Sequence, residues 1–448
     1  MATVSYFFPG SVYPAGLDYN PSFDDFLGDG ENATQVGAVA ATSVRYRLDN
    51  GFYVKLVGTG FTSAGGQLGD TGTITSLQIL DTNGTTVLRT MSVSLTAQLF
   101  NDALDAFGLD RLGEWLLRGN DTLNGSAGSD DMYGYGGNDT INGGGGDDYI
   151  DGGAGRDVFN GGAGFDQLSF AKAYQDPNAF RGIVLNAAAG TVTDAYGNAE
   201  TFTSFESFRG TQFADVMTGS SINEQFMGLG GRDRIDGGGG FDEVRFHRDA
   251  GQGGLAGVTV DLTAGTAIDG FGRTDTLINI EAVRGTENVD RLTGSAVANR
   301  LRGDGGNDIL DGRAGNDQLD GGAGNDRVIG GVGNDTLIGG AGRDIFVLNA
   351  ALSATTNVDL IDDFSVADDT IWLENAIFTA LTTTGALAST AFVANASGLA
   401  ADASDRVIYE TDTGMLYYDS NGSAAGGRVL IADLDAGLGL TALDFSVI

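Results

Sequence analysis

A nine-residue repeat in residues 303–344 constrains the fold of this chain more than any other feature. It reads GDGGNDILD, GRAGNDQLD, GGAGNDRVI, GGVGNDTLI and GGAGRD, with glycine at positions 1 and 4, aspartate at position 6 and an apolar residue at position 8. A fixed short period predicts a solenoid in which every copy adds a six-residue turn and a three-residue strand. The turn offers glycine carbonyls and one carboxylate. Oxygen ligands at this density, without thiol or imidazole, favour calcium.

Residues upstream keep the same register. The sixth-position side chains of a first block are Asp121, Asp130, Asp139, Asp148, Asp157 and Asp166. A poorer second block has Asp215, Glu224, Asp233 and Asp242, and then Asp290 and Asn299 lead into the last block. Only Asp233 and Asp242 of the second block end well-formed glycine turns. Asn299 has a neutral side-chain oxygen, so its turn is predicted to bind weakly or to be structural.

Two connectors interrupt the repeats, and they are copies of each other. Residues 182–211 align without a gap on residues 257–286, at an offset of 75 residues. Apolar residues alternate with polar ones in both copies, which predicts that the connectors add strands to the same stack. A unit of connector plus repeats has therefore been duplicated.

The nonapeptides resemble those of the repeats-in-toxin (RTX) family, which wind into a right-handed parallel β-roll. In that family each calcium ion lies between nonapeptides n and n+2. One turn gives the carbonyls of positions 1 and 3, the other those of positions 2 and 4, and both give their aspartates. The resemblance implies several Ca²⁺ ions as cofactors. It places one site on Gly303, Gly305 and Asp308 with Gly322, Gly324 and Asp326.

The resemblance implies further calcium ligands in all three blocks. In the first block they are Asp121, Gly125, Ala127, Asp130, Asp139, Gly144, Gly146, Asp148, Gly153, Gly155, Asp157, Gly162, Gly164 and Asp166. In the second they are Asp233 and Asp242. In the last they are Gly312, Ala314, Asp317, Gly331, Gly333, Asp335, Gly340, Gly342 and Asp344.

The predicted fold class is all-β: a right-handed parallel β-roll or β-helix solenoid with a small mixed α+β N-terminal cap and a β-rich C-terminal domain. Seven segments follow from the change of pattern along the chain. They are an N-terminal domain (1–117), β-roll block 1 (118–169), a connector (170–209), the degenerate block 2 (210–245), a second connector (246–284), block 3 (285–347) and the C-terminal domain (348–448).

Residues 1–117 predict two β-hairpins followed by helices. Residues 44–48 and 52–57 flank the turn Asp49-Asn50-Gly51, and residues 79–80 and 87–88 flank Asn83-Gly84. A helical stripe is predicted at Leu95, Leu99, Ala103 and Phe107, and a second short helix at Leu112, Trp115, Leu116 and Leu117. Two roles remain open for this domain. It is a cap on the solenoid, or it binds a glycan or cell-surface ligand through Tyr6, Phe7, Phe8, Tyr13 and Tyr19.

The last hundred residues predict short alternating strands at 359–364, 369–373, 405–409 and 415–418. The tail Leu443-Asp-Phe-Ser-Val-Ile448 completes a segment that looks like the C-terminal domain of serralysin-type secreted proteins. This resemblance implies a C-terminal signal read by the type I secretion machinery of a Gram-negative cell, and hence a secreted, extracellular protein, also at the cell surface. The N-terminus has no basic leader or apolar core of a conventional secretory signal.

Charge and composition limit the partners. The formal net charge is −36, from 60 Asp and Glu against 24 Lys and Arg, so nucleic acid and anionic membrane surfaces are poor partners. No apolar run is long enough for a transmembrane segment. Self-repulsion predicts that the chain stays largely unfolded until cations neutralise its carboxylates.

Enzymatic motifs known from proteins with such repeats are missing from the sequence. His247 is the one histidine, which makes a His-Glu-x-x-His zinc site impossible, and no Gly-x-Ser-x-Gly elbow occurs. The sequence therefore predicts a secreted calcium-binding protein with a structural or interaction role, and not an enzyme. The alternative is a polysaccharide-active enzyme with a carboxylate-based site in residues 1–117.

Overall fold

The computed structural model describes residues 3–6, 33–48, 52–64, 67–80, 82–85, 87–101 and 112–448. The chain forms two compact units, residues 1–217 and 218–448. Both consist almost entirely of β-strands, and most strands in the repeat regions pair in parallel. The predicted all-β parallel β-roll is confirmed.

The N-terminal part of the first unit is an antiparallel sheet followed by helix. The strands of this sheet are β1 (Thr3–Tyr6), β2 (Ala33–Gln35), β3 (Ser43–Leu48), β4 (Tyr53–Thr59), β7 (Thr73–Leu80) and β8 (Val87–Thr96). β5 (Ser63–Ala64) and β6 (Gln67–Leu68) pair with each other in a separate two-stranded sheet, and the helix α1 spans Leu112–Leu116. β1 pairs antiparallel with β8, and on its other side it pairs in parallel with the first repeat strand. Val4 lies opposite Leu123 there, so the sheet of the N-terminal part continues into the repeats.

Both predicted hairpins are confirmed. Tyr46 lies opposite Val54 in the first, and Ile79 lies opposite Arg89 in the second, with Gly84 at a φ of +69° in its turn. The helical stripe is wrong at Leu95, which belongs to β8, because residues 87–96 extend the sheet instead; residues 97–101 are helical.

Several N-terminal predictions fall on residues that are not described. The turn at residues 49–51, Ala103, Phe107 and the aromatic residues Phe7, Phe8, Tyr13 and Tyr19 lie outside the described ranges, and only the backbone of Tyr6 is described.

In the first repeat block, successive strands belong alternately to one and the other of two sheets. Its strands are β9 (Thr122–Asn124), β10 (Asp131–Tyr133), β11 (Thr140–Gly145), β12 (Tyr149–Asp151), β13 (Val158–Ala163) and β14 (Gln167–Ser169). β9, β11 and β13 pair in parallel, and so do β10, β12 and β14. Each coil therefore contains two nonapeptides, and residues 18 apart lie on top of one another.

The first connector leaves the roll and returns to it in register. It contains a 3₁₀ helix (Ala171–Gln175) and the strands β15 (Val184–Asn186), β16 (Thr191–Thr193), β17 (Ala199–Thr203) and β18 (Ser207–Arg209); β19 (Val216–Thr218) follows. β15, β16 and β17 form an antiparallel meander. β17 then stacks in parallel on β13, and β18 on β14, so the connector supplies the next coil.

The second unit repeats this plan and continues into the last block. Its strands up to residue 348 are β20 (Gln225–Met227), β21 (Arg234–Asp236), β22 (Glu243–Arg245), β23 (Thr259–Asp261), β24 (Thr266–Ile268), β25 (Thr274–Ile278), β26 (Ala282–Arg284), β27 (Arg291–Thr293), β28 (Arg300–Arg302), β29 (Ile309–Asp311), β30 (Gln318–Ala323), β31 (Arg327–Ile329), β32 (Thr336–Ala341) and β33 (Ile345–Leu348), with a 3₁₀ helix at Ala250–Gln252. β23, β24, β25 and β26 begin 75 residues after β15, β16, β17 and β18, as the sequence alignment of the connectors predicts.

The C-terminal part contains the predicted strands. They are β34 (Asp359–Ile361), β35 (Thr370–Leu373), β36 (Gly385–Ala386), β37 (Phe392–Asn395), β38 (Val407–Glu410), β39 (Met415–Asp419), β40 (Arg428–Asp433) and β41 (Phe445–Val447), with 3₁₀ helices at Ser389–Ala391 and Ala442–Asp444. β34 stacks on β32 and β35 on β33, which extends the roll by one coil. β41 pairs with β35 and β36, and its residues Phe445 and Val447 are buried.

The eighth position of each nonapeptide fills the interior. These side chains are at most 1% exposed: Leu123, Met132, Ile141, Ile150, Phe159, Leu168, Met217, Phe226, Ile235, Val244, Leu292, Leu301, Leu310, Leu319, Val328, Leu337 and Phe346. One apolar side chain per three-residue strand is a thin core, so each of them contributes to stability.

We expect Leu310→Ala to lower the free energy of unfolding of the calcium-loaded chain by about 2–5 kcal/mol, because it leaves a cavity in the core of the roll. Urea unfolding followed by circular dichroism at saturating calcium measures this. Val332→Ala is the matched control, since the Val332 side chain is 55% exposed in the same block. Equal losses in the two variants would contradict the assignment of position 8 to the core.

Candidate metal centre

The sixth-position aspartates form a ladder inside the roll. Asp148 is 2% exposed, and its Oδ1 accepts a hydrogen bond of 2.8 Å from the backbone N–H of Asp130. Its own N–H donates to Oδ1 of Asp166, 2.9 Å away. In the last block, the N–H of Asp308 donates to Asp326 Oδ1, and the N–H of Asp326 donates to Asp344 Oδ1. One oxygen of each carboxylate is thus used to join consecutive coils.

The second oxygen of these carboxylates is buried and has no hydrogen-bond partner. In residues 112–448 this holds for Oδ2 of Asp139, Asp148, Asp157, Asp166, Asp242, Asp308, Asp317, Asp326, Asp335 and Asp344. An ionised carboxylate removed from water without compensation costs several kcal/mol. The arrangement therefore requires a bound cation or a proton at each turn.

Burial raises the pKa of these carboxyl groups. The pKa of Asp139 and of Asp148 rises to about 8, and that of Asp308 and of Asp317 to about 7, chiefly because burial penalises the charged form. Aspartates one coil away add repulsion, while the backbone N–H that each carboxylate accepts lowers the pKa. A divalent cation would remove the penalty that otherwise favours the protonated form.

Most of these turns share one open backbone conformation, with residues 2 and 4 at positive φ. Gly322 has a φ of +97° and Gly324 a φ of +146°. A Cβ on Gly321, at position 1, would lie 2.5 Å from Asp326 Oδ2 and 2.7 Å from the carbonyl oxygen of Gly339, one coil further on. A carboxylate and a carbonyl oxygen thus converge on a space too small for a methyl group. We call these open turns: 134–139, 143–148, 152–157, 161–166, 228–233, 237–242, 303–308, 312–317, 321–326, 330–335 and 339–344.

Side chains at position 2 of an open turn are restricted to the start of a stack. Tyr135, Leu229, Asp304 and Arg313 occupy it at φ between +64° and +72°. In the turns that follow an open turn by one coil, position 2 is glycine, and a Cβ on Gly340, for example, would collide with the carbonyl of Gly322. Glycine is therefore required by the coil beneath as well as by φ.

A second class of turn, the closed turn, donates a backbone N–H to its own sixth-position side chain. Position 2 is Ser or Thr, and its N–H donates back to the side chain at position 6. Thr286 N–H donates to Asp290 Oδ2 at 2.6 Å, and Thr286 Oγ1 is 3.0 Å from Asp290 Oδ1. The closed turns are 125–130, 210–215, 219–224, 285–290 and 294–299.

The two classes divide the ligands implied by the sequence. Those on open turns are Asp139, Gly144, Gly146, Asp148, Gly153, Gly155, Asp157, Gly162, Gly164, Asp166, Asp233, Asp242, Gly303, Gly305, Asp308, Gly312, Ala314, Asp317, Gly322, Gly324, Asp326, Gly331, Gly333, Asp335, Gly340, Gly342 and Asp344. Gly125, Ala127 and Asp130 lie on a closed turn, and Asp121 precedes the first complete turn. Their role as calcium ligands stays a prediction throughout.

Sequence reasoning missed acidic residues in the connectors that take the sixth-position register without a glycine turn. Glu206 Oε2 accepts the N–H of Asp166, and Glu281 Oε2 that of Asp242, each at 3.0 Å. Glu200 and Asp275 take the same register inside β17 and β25. In the C-terminal part, Asp359 at the start of β34 and Asp369 just before β35 do the same. Their signal is an acid two residues before a buried apolar side chain, which is the spacing of positions 6 and 8.

The donor set fits calcium. In the described part of the chain, no three acidic or histidine side chains converge on one point in a way that could hold a metal ion. One carboxylate oxygen and a carbonyl oxygen of the next coil do converge beside the position-1 glycine of open turns such as 303–308, 312–317 and 321–326. Calcium accepts six to eight such oxygens in flexible geometry.

His247 lies beside several arginine side chains. It is half-buried in the second connector, and its pKa is lowered to about 4 by burial and by Arg284, Arg248 and Arg245. The imidazole is therefore neutral at neutral pH and surrounded by cations. No helix among the described residues has the length and apolarity to cross a membrane.

The comparisons with known proteins identify the repeats. A sequence model described as RTX calcium-binding nonapeptide repeat (4 copies) matches residues 117–141, 133–168, 218–245, 284–319 and 320–350. A search of curated protein sequences gives no match.

Two similar solved structures are both partial matches. The extracellular lipase LipA from Serratia marcescens is 17% identical with a TM-score of 0.21, over 73% of this chain and 40% of the lipase. The AlgE6R3 subunit from the Azotobacter vinelandii mannuronan C5-epimerase is 29% identical with a TM-score of 0.15, over 36% of this chain and 78% of the subunit. This chain thus spans about two fifths of the lipase's length.

The two turn classes make a testable distinction. We expect Asp326→Asn to reduce the number of bound calcium ions by one or two, because Asp326 lies in an open turn with open turns one coil before and one coil after it. Asp290→Asn in a closed turn should leave the number unchanged. Calorimetric titration of both variants with calcium measures this.

Asparagine occurs in the neighbouring closed turn, where Asn299 Oδ1 accepts from Ser295 and Asn299 Nδ2 donates to the carbonyl of Glu281. Asp290 accepts the N–H groups of Val258 and Thr286 on its two oxygens, so circular dichroism at saturating calcium is needed to check that Asp290→Asn keeps the fold. Equal stoichiometry in Asp326→Asn and the wild type would contradict the assignment.

Proposed function

We propose that the chain is a secreted protein that folds on extracellular calcium. The premise is that RTX calcium-binding nonapeptide repeats, which bind multiple calcium ions, occupy residues 117–168, 218–245 and 284–350. The role of the chain is structural or in interaction, at the cell surface, in a matrix or towards a host. The observation that carries the proposal is the row of buried carboxylate oxygens without hydrogen-bond partners.

Calcium occupancy follows the open turns in this proposal. Pairs of open turns one coil apart are 134–139 with 152–157, 143–148 with 161–166, 303–308 with 321–326, 312–317 with 330–335, and 321–326 with 339–344. Each pair brings two aspartates and the carbonyls of two turns to one ion. Closed turns already donate a backbone N–H to the oxygen that is left without a partner in open turns, so in this proposal they bind no ion and join the calcium-loaded segments.

Folding depends on the ions because the strands contribute little by themselves. Most repeat strands have three residues and bury one apolar side chain. Against this small gain stand the conformational entropy of a glycine-rich chain and the repulsion of a net charge of −36. Binding free energy of the ions therefore becomes folding free energy.

We expect the chain to be largely unfolded in excess chelator and β-rich at millimolar calcium. Far-ultraviolet circular dichroism during a calcium titration measures the transition. Magnesium at the same concentration is the control, because it prefers a tighter octahedral shell and retains its waters. A full β spectrum in chelator would sink the coupling.

Export through a type I channel fits this coupling. A cytoplasm at submicromolar calcium keeps the chain threadable, and the millimolar calcium outside folds it. The sequence resemblance of residues 348–448 to serralysin-type C-terminal domains supports a signal in that segment. Because Phe445 and Val447 are buried against β35 and β36 in the folded protein, the signal is readable only before folding.

Removal of residues 389–448 is expected to abolish export from a Gram-negative host that carries a type I channel, as measured by immunoblot of medium and cells. Full-length Asp326→Asn retains the segment and serves as the control for impaired calcium binding. Appearance of the truncated chain in the medium would refute a C-terminal signal.

A cleft in the first unit favours a second candidate function. It has a volume of about 640 Å³ and is lined by Tyr133, Tyr135 and Tyr196 together with the acidic Asp151 and Asp176. Lys172 also lines the cleft, and its Nζ lies 3.2 Å from the centroid of the Tyr133 ring, which leaves Tyr135 and Tyr196 as the aromatic groups for a ligand. Aromatic rings beside carboxylates suit a sugar ring, which supports the hypothesis of a glycan ligand or a carboxylate-based polysaccharide enzyme. Most of its lining lies outside residues 1–117, where the sequence hypothesis places the site.

A glycan array and a reducing-sugar assay with the full chain separate the two functions. If the protein has a structural or interaction role, we expect no release of sugar, whether or not a glycan binds. Sugar release that is lost in Asp151→Asn would favour the enzyme. Tyr196→Ala tests whether any binding uses the cleft.

A further inference from the structure

Glu200 on β17 is a buried carboxylate that the nonapeptide pattern does not explain. It is 3% exposed, and neither of its carboxylate oxygens has a hydrogen-bond partner. A buried acid in this state requires a compensating group. Burial, followed by the charges of Asp157 and Asp194, raises its pKa to about 11.

The register of β17 places Glu200 one coil after Asp157. Thr201 lies opposite Val158, so Glu200, the second residue of β17, takes the place that Asp157 has just before β13. A nonapeptide would put its sixth-position aspartate here. The connector supplies a glutamate instead, from a β-strand and without a glycine turn.

Asp157 is the natural partner of Glu200. It is the sixth residue of the open turn 152–157, in which Gly153 and Gly155 have φ of +79° and +154°. Its Oδ2 also lacks a hydrogen-bond partner. Because β17 stacks on β13 in register, the two side chains belong to successive coils of the same sheet. The charge of Asp157 acts on Glu200 more strongly than that of any other group. Two carboxyl groups in that position share either a proton or a cation.

The surroundings favour a cation over a proton. The charged groups that act most strongly on Glu200 are all acidic: Asp157, Asp194 and Asp151. Asp194 is already used, since Oδ1 accepts from the N–H groups of Tyr196 and Asn198 and Oδ2 from Asn198 Nδ2. It adds negative charge but no ligand. A shared proton neutralises one charge of the pair, whereas a divalent ion neutralises both.

We propose that Asp157 and Glu200, with carbonyl oxygens of the 152–157 turn, bind a calcium ion at a site that continues the ion stack from the first repeat block into the connector. This site rests on the proposed calcium function but lies outside any pair of nonapeptides. It uses two carboxylates and backbone oxygens, as the sites between open turns do.

The second connector provides a comparison within the same chain. Asp275 stands 75 residues after Glu200 and one residue before Thr276, which lies opposite Arg234. Its Oδ1 accepts the N–H of Asp233 at 2.9 Å, as the aspartates of the repeats do. The longer Glu200 accepts no such bond, so its two oxygens remain available for an ion.

Calorimetric titration of the full chain with calcium at neutral pH tests the proposal. Glu200→Gln is expected to bind one ion fewer than the wild type, with the calcium-loaded circular dichroism spectrum retained. Glutamine is also the uncharged isostere of protonated glutamate. If the pair shares a proton instead, Glu200→Gln keeps the wild-type stoichiometry, and that result overturns the site. Glu206→Gln, whose parent side chain accepts the N–H of Asp166, is the matched control.

A second readout does not depend on a variant that folds. Crystals of the calcium-loaded wild type should show anomalous difference density between the carboxyl groups of Asp157 and Glu200. Density in the nonapeptide turns but none at this point would refute the site and leave the proposed function intact. A wild type that binds no calcium at all would refute the proposed function itself.

Discussion

The structure depends on the different roles of the two oxygens in each sixth-position carboxylate of the open turns. One oxygen accepts the backbone N–H of the aspartate 18 residues earlier, and so fixes the rise of the coil. The other points into the turn, beside the position-1 glycine, where the protein provides no donor. The first contact makes the carboxylate part of the backbone network, and the second makes that network incomplete without a positive charge. Assembly of the roll and binding of the ion are therefore one event.

Much of the fold was predictable because the period is written into the residue types. Position 8 is apolar and buried throughout, and the copied connectors reappear as strands with the same 75-residue offset. The predicted helical stripe was wrong at Leu95, because apolar spacing alone did not reveal that β8 extends to Thr96 and pairs there with β7. A paired strand edge outweighs a weak helical pattern.

The division into open and closed turns was harder to predict, although its signal is in the sequence. Ser126, Thr211, Ser220, Thr286 and Ser295 all stand at position 2 of closed turns. Their local hydrogen bonds favour a conformation with negative φ that turns the N–H onto the carboxylate. Glu200 and Glu206 escaped notice for another reason, because they take the register of an aspartate without any glycine turn before them. Pairing of β17 with β13 brings Glu200 there, and pairing is a long-range property.

The connectors show how a solenoid accepts extra sequence. Each connector runs out from the roll and forms an antiparallel meander. The last strand of the meander then stacks in parallel on the roll, at the position that the next nonapeptide would have filled. The next coil therefore stacks on the same strand position whether a nonapeptide or a connector of about forty residues supplies that strand. The hairpin turns within the meander, at residues 187–190 and 262–265, are thus points where foreign loops can be spliced at a small entropic cost. The duplication of the connector-plus-repeats segment indicates that whole modules can be added to the roll. Within each compact unit the parallel strands then stay in register.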